Sequence, residues 1–253
     1  LRHGPPGPRV VEMTSDVCSL QIPKDSENYC SPRSAKVIPS QNDIRDAVKY
    51  LMKAKKPLIW AGGGVLMSGA SKELKKLVEF TGIPVFTTMQ GKSAFDERHP
   101  LSLGAGCGTT TLAAHNWLQK SDVVLVLGSS LTRTPYGQVL SSEKTLLHNT
   151  IDPEDLNKDV SAMVGLVGDT KLTLLALMEE FKTEGFKKDN GEVTQIKKEI
   201  NALKKVTSEI KKPITCIMGG SKISSKINII KNLIPKFDTV SYTHLTLPTN
   251  REV

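Results

Sequence analysis

The chain has 253 residues, enough to bury one good core and a second small one. Its composition, 38% hydrophobic and 24% charged, is that of an ordinary globular protein, and no stretch approaches about eighteen unbroken apolar residues, which excludes a membrane-spanning helix. The net charge of +8 is local: residues 181–236 carry 13 Lys and Arg against 5 acids, while the remainder is balanced at 21 of each. That basic segment is nearly free of aromatic side chains, so it reads as a solvated charged face and not as a nucleic-acid surface.

The four cysteines (Cys18, Cys30, Cys107, Cys216) contain no Cys-x-x-Cys pair, which argues against structural zinc and gives no disulfide framework. The five histidines (His3, His99, His115, His148, His244) also lack metal-ligand spacing. A reducing cytoplasm is the default compartment. Leu1-Arg2-His3-Gly4 has neither an initiator Met nor a signal-peptide pattern and reads as a truncated beginning.

In chain order, Gly4-Pro5-Pro6-Gly7-Pro8 is a breaker cluster, and Arg9 to Met13 is expected to form a short buried strand. Residues 16–41, rich in Pro, Ser and charge, form an extended linker without its own core. From Asn42 the pattern is regular. Ile44, Val48, Leu51 and Met52 recur at helical spacing, with Ser40 or Asn42 placed to cap the helix. Pro57 to Ala61 is a strand stopped by Gly62-Gly63-Gly64; Leu74, Leu77 and Val78 mark a helix ended by Gly82; Ile83 to Thr88 is a strand and Leu112 to Gln119 a helix. Val123 to Leu127 is a wholly apolar strand of the kind buried on both faces of a parallel sheet. Thr145 to Ile151 and Met163 to Val167 are further strands, and Leu172 to Met178 is a helix. Strands alternating with helices predict an α/β fold with a doubly wound parallel sheet and helices on both faces. Thr183 to Asn190 is a polar hinge, and Val193 to Lys205 a charged amphipathic helix.

In such a sheet ligands bind beyond the carboxyl ends of the strands. The informative loops are therefore Gly62 to Gly64, Thr88 to Gly91, Gly104 to Gly108, Gly128 to Thr132, Asp152 to Glu154 and Gly168-Asp169. Glycine there lets backbone amides approach a pyrophosphate, and an acid such as Asp152 can accept from ribose hydroxyls. The plainer reading is that these glycines only make tight turns. The dinucleotide fingerprint fails in both Gly-rich loops, with Met67 and Thr109 where its last glycine belongs.

Four segments carry a family resemblance: Lys56-Pro57-Leu58-Ile59-Trp60-Ala61-Gly62-Gly63-Gly64, Gly82 to Lys92, Ser121 to Ser130, and Ile151-Asp152-Pro153-Glu154-Asp155-Leu156-Asn157-Lys158. In that order they resemble the central domain of thiamine diphosphate-dependent enzymes of the acetolactate synthase type. The resemblance implies six strands, a parent that needs thiamine diphosphate and Mg and makes or breaks carbon-carbon bonds of 2-oxo acids, and a homo-oligomeric parent. Related central domains hold FAD or ADP, or nothing. By matching position, Gly62, Gly63, Gly64, Thr88, Met89, Gly128, Ser129, Asp152 and Asp169 are the residues implied to line such a nucleotide groove. The loops Gln90 to Asp96 and Gly128 to Thr134 depart from those of acetolactate synthases proper.

A run similar to Gly7 to Glu12 closes the first domain in the family, which makes 1–38 the end of a pyrimidine-binding domain with its linker and 39–182 the central domain. The glutamate of the first domain and the Gly-Asp-Gly of the third, which serve thiamine and Mg in the family, do not occur in residues 1–253. No catalytic or metal-ligating residue is therefore assigned, and the chain is expected to be inactive alone.

Residues 183–206 form the hinge and charged helix. Lys211 to Ile227, with Gly219-Gly220-Ser221-Lys222, is similar to phosphoglycerate kinase, giving a kinase-like fragment over 207–238. Lys222 and Lys226 match positions that contact nucleotide phosphates in that family, yet as they stand they read as solvated surface. Ile229, Ile230 and Leu233 are expected to be exposed in a loosely ordered fragment. Residues 239–253 resemble translated adapter sequence and are set aside, so the chain reads as a chimera. Three further functional classes compete: a non-catalytic FAD- or ADP-binding module, an NAD-dependent deacylase, disfavoured by the missing cysteine pairs, and a phosphotransferase limited to the tail. No membrane or nucleic-acid partner is expected.

Overall fold

The computed structural model describes residues 7–8, 10–30, 35–106, 110–135, 137, 140–141, 143–187, 190–208, 215–219 and 239–243. Lys222, Lys226, Ile229, Ile230 and Leu233 lie outside the described residues.

The leading segment departs from expectation. Val10, Val11 and Met13 are in no strand and are 86%, 76% and 67% exposed. A short apolar run becomes a strand only where a neighbouring strand takes its hydrogen bonds, and none of the described strands pairs with it. A single helical turn, α1 (Ser15–Cys18), and a 3-10 turn at Lys24–Asn28 follow, neither of them contributing to the core.

Order begins at Ser40, whose hydroxyl accepts from the Asp43 amide and starts α2 (Gln41–Lys53). Ile44, Ala47, Val48 and Leu51 fall on one face of α2 and are buried. Strand β1 (Leu58–Ala61) is buried along its whole length. It leads into a short helix α3 (Gly63–Met67), so the glycine run opens a helix as well as ending the strand. Helix α4 (Ser71–Thr81) ends at Gly82, which takes the left-handed conformation (φ 81°) that glycine adopts without steric cost. Then come β2 (Val85–Thr88), β3 (Ser102–Gly106), α5 (Leu112–Lys120) capped by Thr111, β4 (Val123–Leu127), β5 (Thr145–Thr150), β6 (Val164–Val167) and α6 (Thr170–Thr183) capped by Asp169.

The six strands form one sheet in the order β3-β2-β1-β4-β5-β6, parallel at every pairing. The first half of the chain winds outward from β1 in one direction and the second half in the other. Right-handed crossovers then set α3 and α4 on one face and α5, which links β3 to β4, on the opposite face. Helix α6 contacts both α2 and α4, while α5 touches β3. This is the doubly wound six-stranded α/β fold expected from the sequence.

Two polar side chains tie its elements together. Asn149 of β5 donates to the carbonyls of Leu166 and Gly168 and to Thr173 Oγ1, and accepts from Thr170 Oγ1, tying β5 to β6 and α6. Asp122 accepts from the amides of Lys55 and Lys56, fixing the entry to β1. Burial pushes the Asp122 carboxyl upward, but these amides and that of Val123 outweigh it and hold the group below the usual carboxylate range.

Helix α7 (Asn190–Ser208) begins earlier and runs longer than the amphipathic pattern predicts. The chain divides into two compact units, 1–201 and 202–253. In the second, β7 (Thr215–Gly219) pairs in parallel with β8 (Thr239–Thr243), and β8 opens the stretch that resembles adapter sequence.

Candidate functional site

The strand order reverses between β1 and β4, and a doubly wound sheet is open to ligands at that switch point. A cleft of about 250 Å³ lies there, walled by Trp60 of β1, by Thr88, Met89 and Gln90 after β2, and by the loop Ser129 to Thr134 after β4.

Of the nine residues singled out from the sequence, Thr88, Met89 and Ser129 line this cleft. Gly62, Gly64 and Gly128 pack the β1 loop directly on the β4 loop. A Cβ on Gly62 would overlap the Gly128 carbonyl oxygen, and one on Gly64 would stand 2.7 Å from Gly128 Cα. The Gly62 amide donates to the Leu127 carbonyl and that of Gly64 to the Gly128 carbonyl, each at 2.8 Å. These glycines let two loops meet, and their amides already have partners. Gly63 lies against Gln90.

Asp152 and Asp169 stand apart from the cleft walls. Asp152 caps the 3-10 turn Pro153–Asp155 by accepting from the Glu154 amide. Asp169 accepts from the Leu172 amide at the start of α6, and its Oδ2 pairs with Lys36 Nζ at 3.0 Å. The Asp169 amide donates to the Val37 carbonyl, so the linker before α2 is laid over the end of β6.

The loop after β4 is held from two sides. His148 of β5 is fully buried, and its Nε2 sits 2.7 Å from the Ser129 carbonyl oxygen, to which it donates. Burial pushes the His148 imidazole below its usual range, against the opposing pull of that carbonyl and of Asp155, and its Nδ1 has no partner. At the far end, the Arg133 amide donates to Asp159 Oδ2 at 2.8 Å. Leu131 between them takes φ 52°, an uncommon conformation for a bulky residue. Arg133 is the one charged side chain among the described residues that line the cleft, so an anion is the ligand class its electrostatics favour. Hydroxyls of Thr88, Ser130 and Thr132 and the Gln90 amide add neutral hydrogen-bonding capacity.

Sequence reasoning missed Trp60 and the role of His148. Trp60 is 6% exposed, meets Phe86 edge to face at 4.9 Å, and its Nε1 is buried without a partner. The available signal was position: Trp60 is the penultimate residue of β1, at the carboxyl end where ligands gather. His148 could be found only through its register, because it pairs with Val126 and so comes level with the start of the β4 loop. Among the described residues no cluster of His, Cys, Asp or Glu could hold a metal ion, and no helix is long and apolar enough to cross a membrane.

Fold and cleft together define a doubly wound α/β domain with a polar crevice at its switch point. Residues 44–177 match the family description "Thiamine pyrophosphate enzyme, central domain", and the chain belongs to that family. A second description, phosphoglycerate kinase, matches residues 185–243, wider at both ends than the segment singled out from the sequence. Similar curated proteins include the probable acetolactate synthase large subunit of Methanococcus aeolicus, 33% identical over 91% of this chain and 42% of that protein. The corresponding protein of Methanocaldococcus jannaschii is 36% identical over 69% of this chain and 31% of its own length. The acetolactate synthase of Mycobacterium avium is 34% identical over 66% and 29%. The chain thus spans less than half the length of these relatives. The Methanococcus alignment, at 91% of this chain, reaches past residue 185 into the kinase-matching segment.

Proposed function

We propose that residues 39–182 are the central domain of a thiamine diphosphate- and Mg-dependent enzyme of the acetolactate synthase type, acting on 2-oxo acids as a homo-oligomer, and that in this chain the domain holds a nucleotide without catalysing a reaction. The carrying observation is the cleft at the β1/β4 switch point, with Arg133 on its wall and the Ser129 loop fixed by His148 and Asp159. Thiamine diphosphate supplies an electron sink for carbon-carbon chemistry when bound. Residues 39–182 carry no Gly-Asp-Gly run of the kind that serves the diphosphate and Mg in the family, so no catalytic step is assigned to this domain.

A nucleotide fits better, and size favours ADP over FAD. The cleft, at about 250 Å³, falls below the roughly 300–1,000 Å³ of sites that enclose drug-sized ligands. It accommodates a phosphate-bearing mononucleotide more readily than a dinucleotide. Buried at the wall, Trp60 Nε1–H is a donor still without an acceptor.

The chain has two tryptophans, so a Trp117→Phe variant leaves Trp60 as sole reporter of the cleft. Titration of that variant with ADP is expected to change its fluorescence saturably, with FAD weaker; flat titrations with both remove the nucleotide reading. Incubation with pyruvate, thiamine diphosphate and Mg is expected to yield no acetolactate, and turnover would overturn the non-catalytic assignment. We further propose that the kinase-matching segment joins the domain as a chimera; independent transcripts reading through the junction in one frame would contradict that origin.

A further inference from the structure

The base of the sheet, opposite the cleft, carries an apolar face built from the ends of three helices. Leu51 and Met52 close α2, Thr81 and Gly82 close α4, and Phe181 lies in the last turn of α6. Phe80, Phe181 and Phe186 form a ring cluster with centroids 5.2–6.5 Å apart. The N-terminal part of α7 covers this face. Val193 is 7% exposed and Ile200 fully buried, with Ile196 half-buried between them, so one apolar stripe of the helix is spent on the contact.

The fit has a lock and a flaw. The lock is Gly82: a Cβ there would overlap Val193 Cγ2, so the glycine is a hole and the valine its knob. Lys56 Nζ reaches Glu199 Oε2 at 3.9 Å beside the contact. The flaw is a pocket of about 210 Å³, open to solvent, lined by Leu51, Ile83, Phe181 and Phe186 on the face and by Val193 and Ile196 of the helix. Apolar side chains of the face line this open pocket, so α7 leaves part of the face uncovered. The face and its cover also match different families, since the first description ends at 177 and the second starts at 185. Gly185 between them takes φ 68° with open space around it, a joint on which the helix can turn away.

We propose that this face is a helix-docking surface of the central domain and that α7 is an exchangeable occupant of it. The surface selects an amphipathic helix with a β-branched residue over Gly82, apolar residues three and seven positions further on, and an acid within reach of Lys56. An occupant with a longer apolar side chain in place of Ile196 covers more of the open pocket and binds more tightly.

The test uses the full chain with Val193→Asp and Ile200→Asp, which unseats α7, and a fluorescent synthetic peptide of residues 190–208. Anisotropy is expected to show the peptide binding this variant at least tenfold more tightly than the wild-type chain, whose face is covered. Equal binding to both, or no binding to a variant whose circular dichroism is native, overturns the proposal. Should the variant fail to fold, hydrogen exchange on the wild-type chain decides. Amides of 194–201 are expected to exchange at least tenfold more slowly than in the free peptide, and Ile196→Phe is expected to slow them several-fold further. Exchange at the free-peptide rate, or faster exchange in Ile196→Phe, overturns it.

Discussion

At the scale of single residues, His148 and Asn149 sit side by side in β5 and do different work. His148 is neutral where it lies, because a second ring proton on Nδ1 would find no acceptor in a fully buried place. Its folded-state affinity for protons is below the ordinary value of 6.5, so between the two values the unfolded chain binds more protons and stability rises with pH. The stabilisation is complete above about pH 6.5 and is lost as pH falls toward the depressed folded value. Denaturant melts from pH 7.5 to 5 are expected to show this loss in the wild type and a shallower one in His148→Asn. His99, also pushed down by burial, contributes in the same direction and remains in both proteins. Parallel curves would remove His148 from the account. Asn149 is a stability residue. Asn149→Ala leaves the carbonyls of Leu166 and Gly168 and the Thr173 hydroxyl short of a donor, at about 1–3 kcal/mol for an orphaned buried group. A fall of that size in urea-unfolding free energy, with the m-value unchanged, is expected. Neither role was legible in the sequence, where a His and an Asn inside an apolar strand have no periodic signature and acquire meaning only from strand register.

At the scale of elements, what the sequence displayed was apolar continuity and capping. β4 stands out as Val123-Val124-Leu125-Val126-Leu127, a run fit for burial on both faces, and its observed bounds are the same five residues. Ser40 is legible as a cap because it precedes a helical stripe. β3 was hidden, since Ser102-Leu103-Gly104-Ala105-Gly106 offers one large apolar residue and two glycines, and it is a strand because β2 supplies its hydrogen bonds. Val10, Val11 and Met13 fail in the converse way, being apolar without a neighbouring strand among the described residues. Gly82 and Gly69 make a matched pair at this scale. Both have positive φ, but a Cβ on Gly69 meets nothing within 4 Å whereas one on Gly82 meets Val193. Gly69→Ala is expected to cost about 1 kcal/mol from left-handed strain alone. Gly82→Ala is expected to cost more, by the overlap with α7, and to speed exchange across 194–201. Equal costs would place the α7 contact outside the folded unit.

For the whole molecule, the doubly wound topology was legible because strand and helix patterns alternate and crossover handedness leaves few alternatives. The division of labour among the glycine loops was not. The family resemblance implied that Gly62, Gly64 and Gly128 line a ligand groove, and in three dimensions they hold two loops together beside it, leaving Thr88, Met89 and Ser129 on its wall. Asp152 and Asp169 read as ligand acids from their place after strands, yet each caps the turn or helix that follows. We propose that a nucleotide is held in the crevice between the β2 and β4 loops. Amide chemical-shift mapping of the ¹⁵N-labelled chain with ADP tests it most directly. Shifts confined to Thr88 to Gln90, Gly106 and Ser129 to Arg133 are the predicted result; a map centred on Asp152 and Asp169, or no shift at saturating ADP, would contradict it.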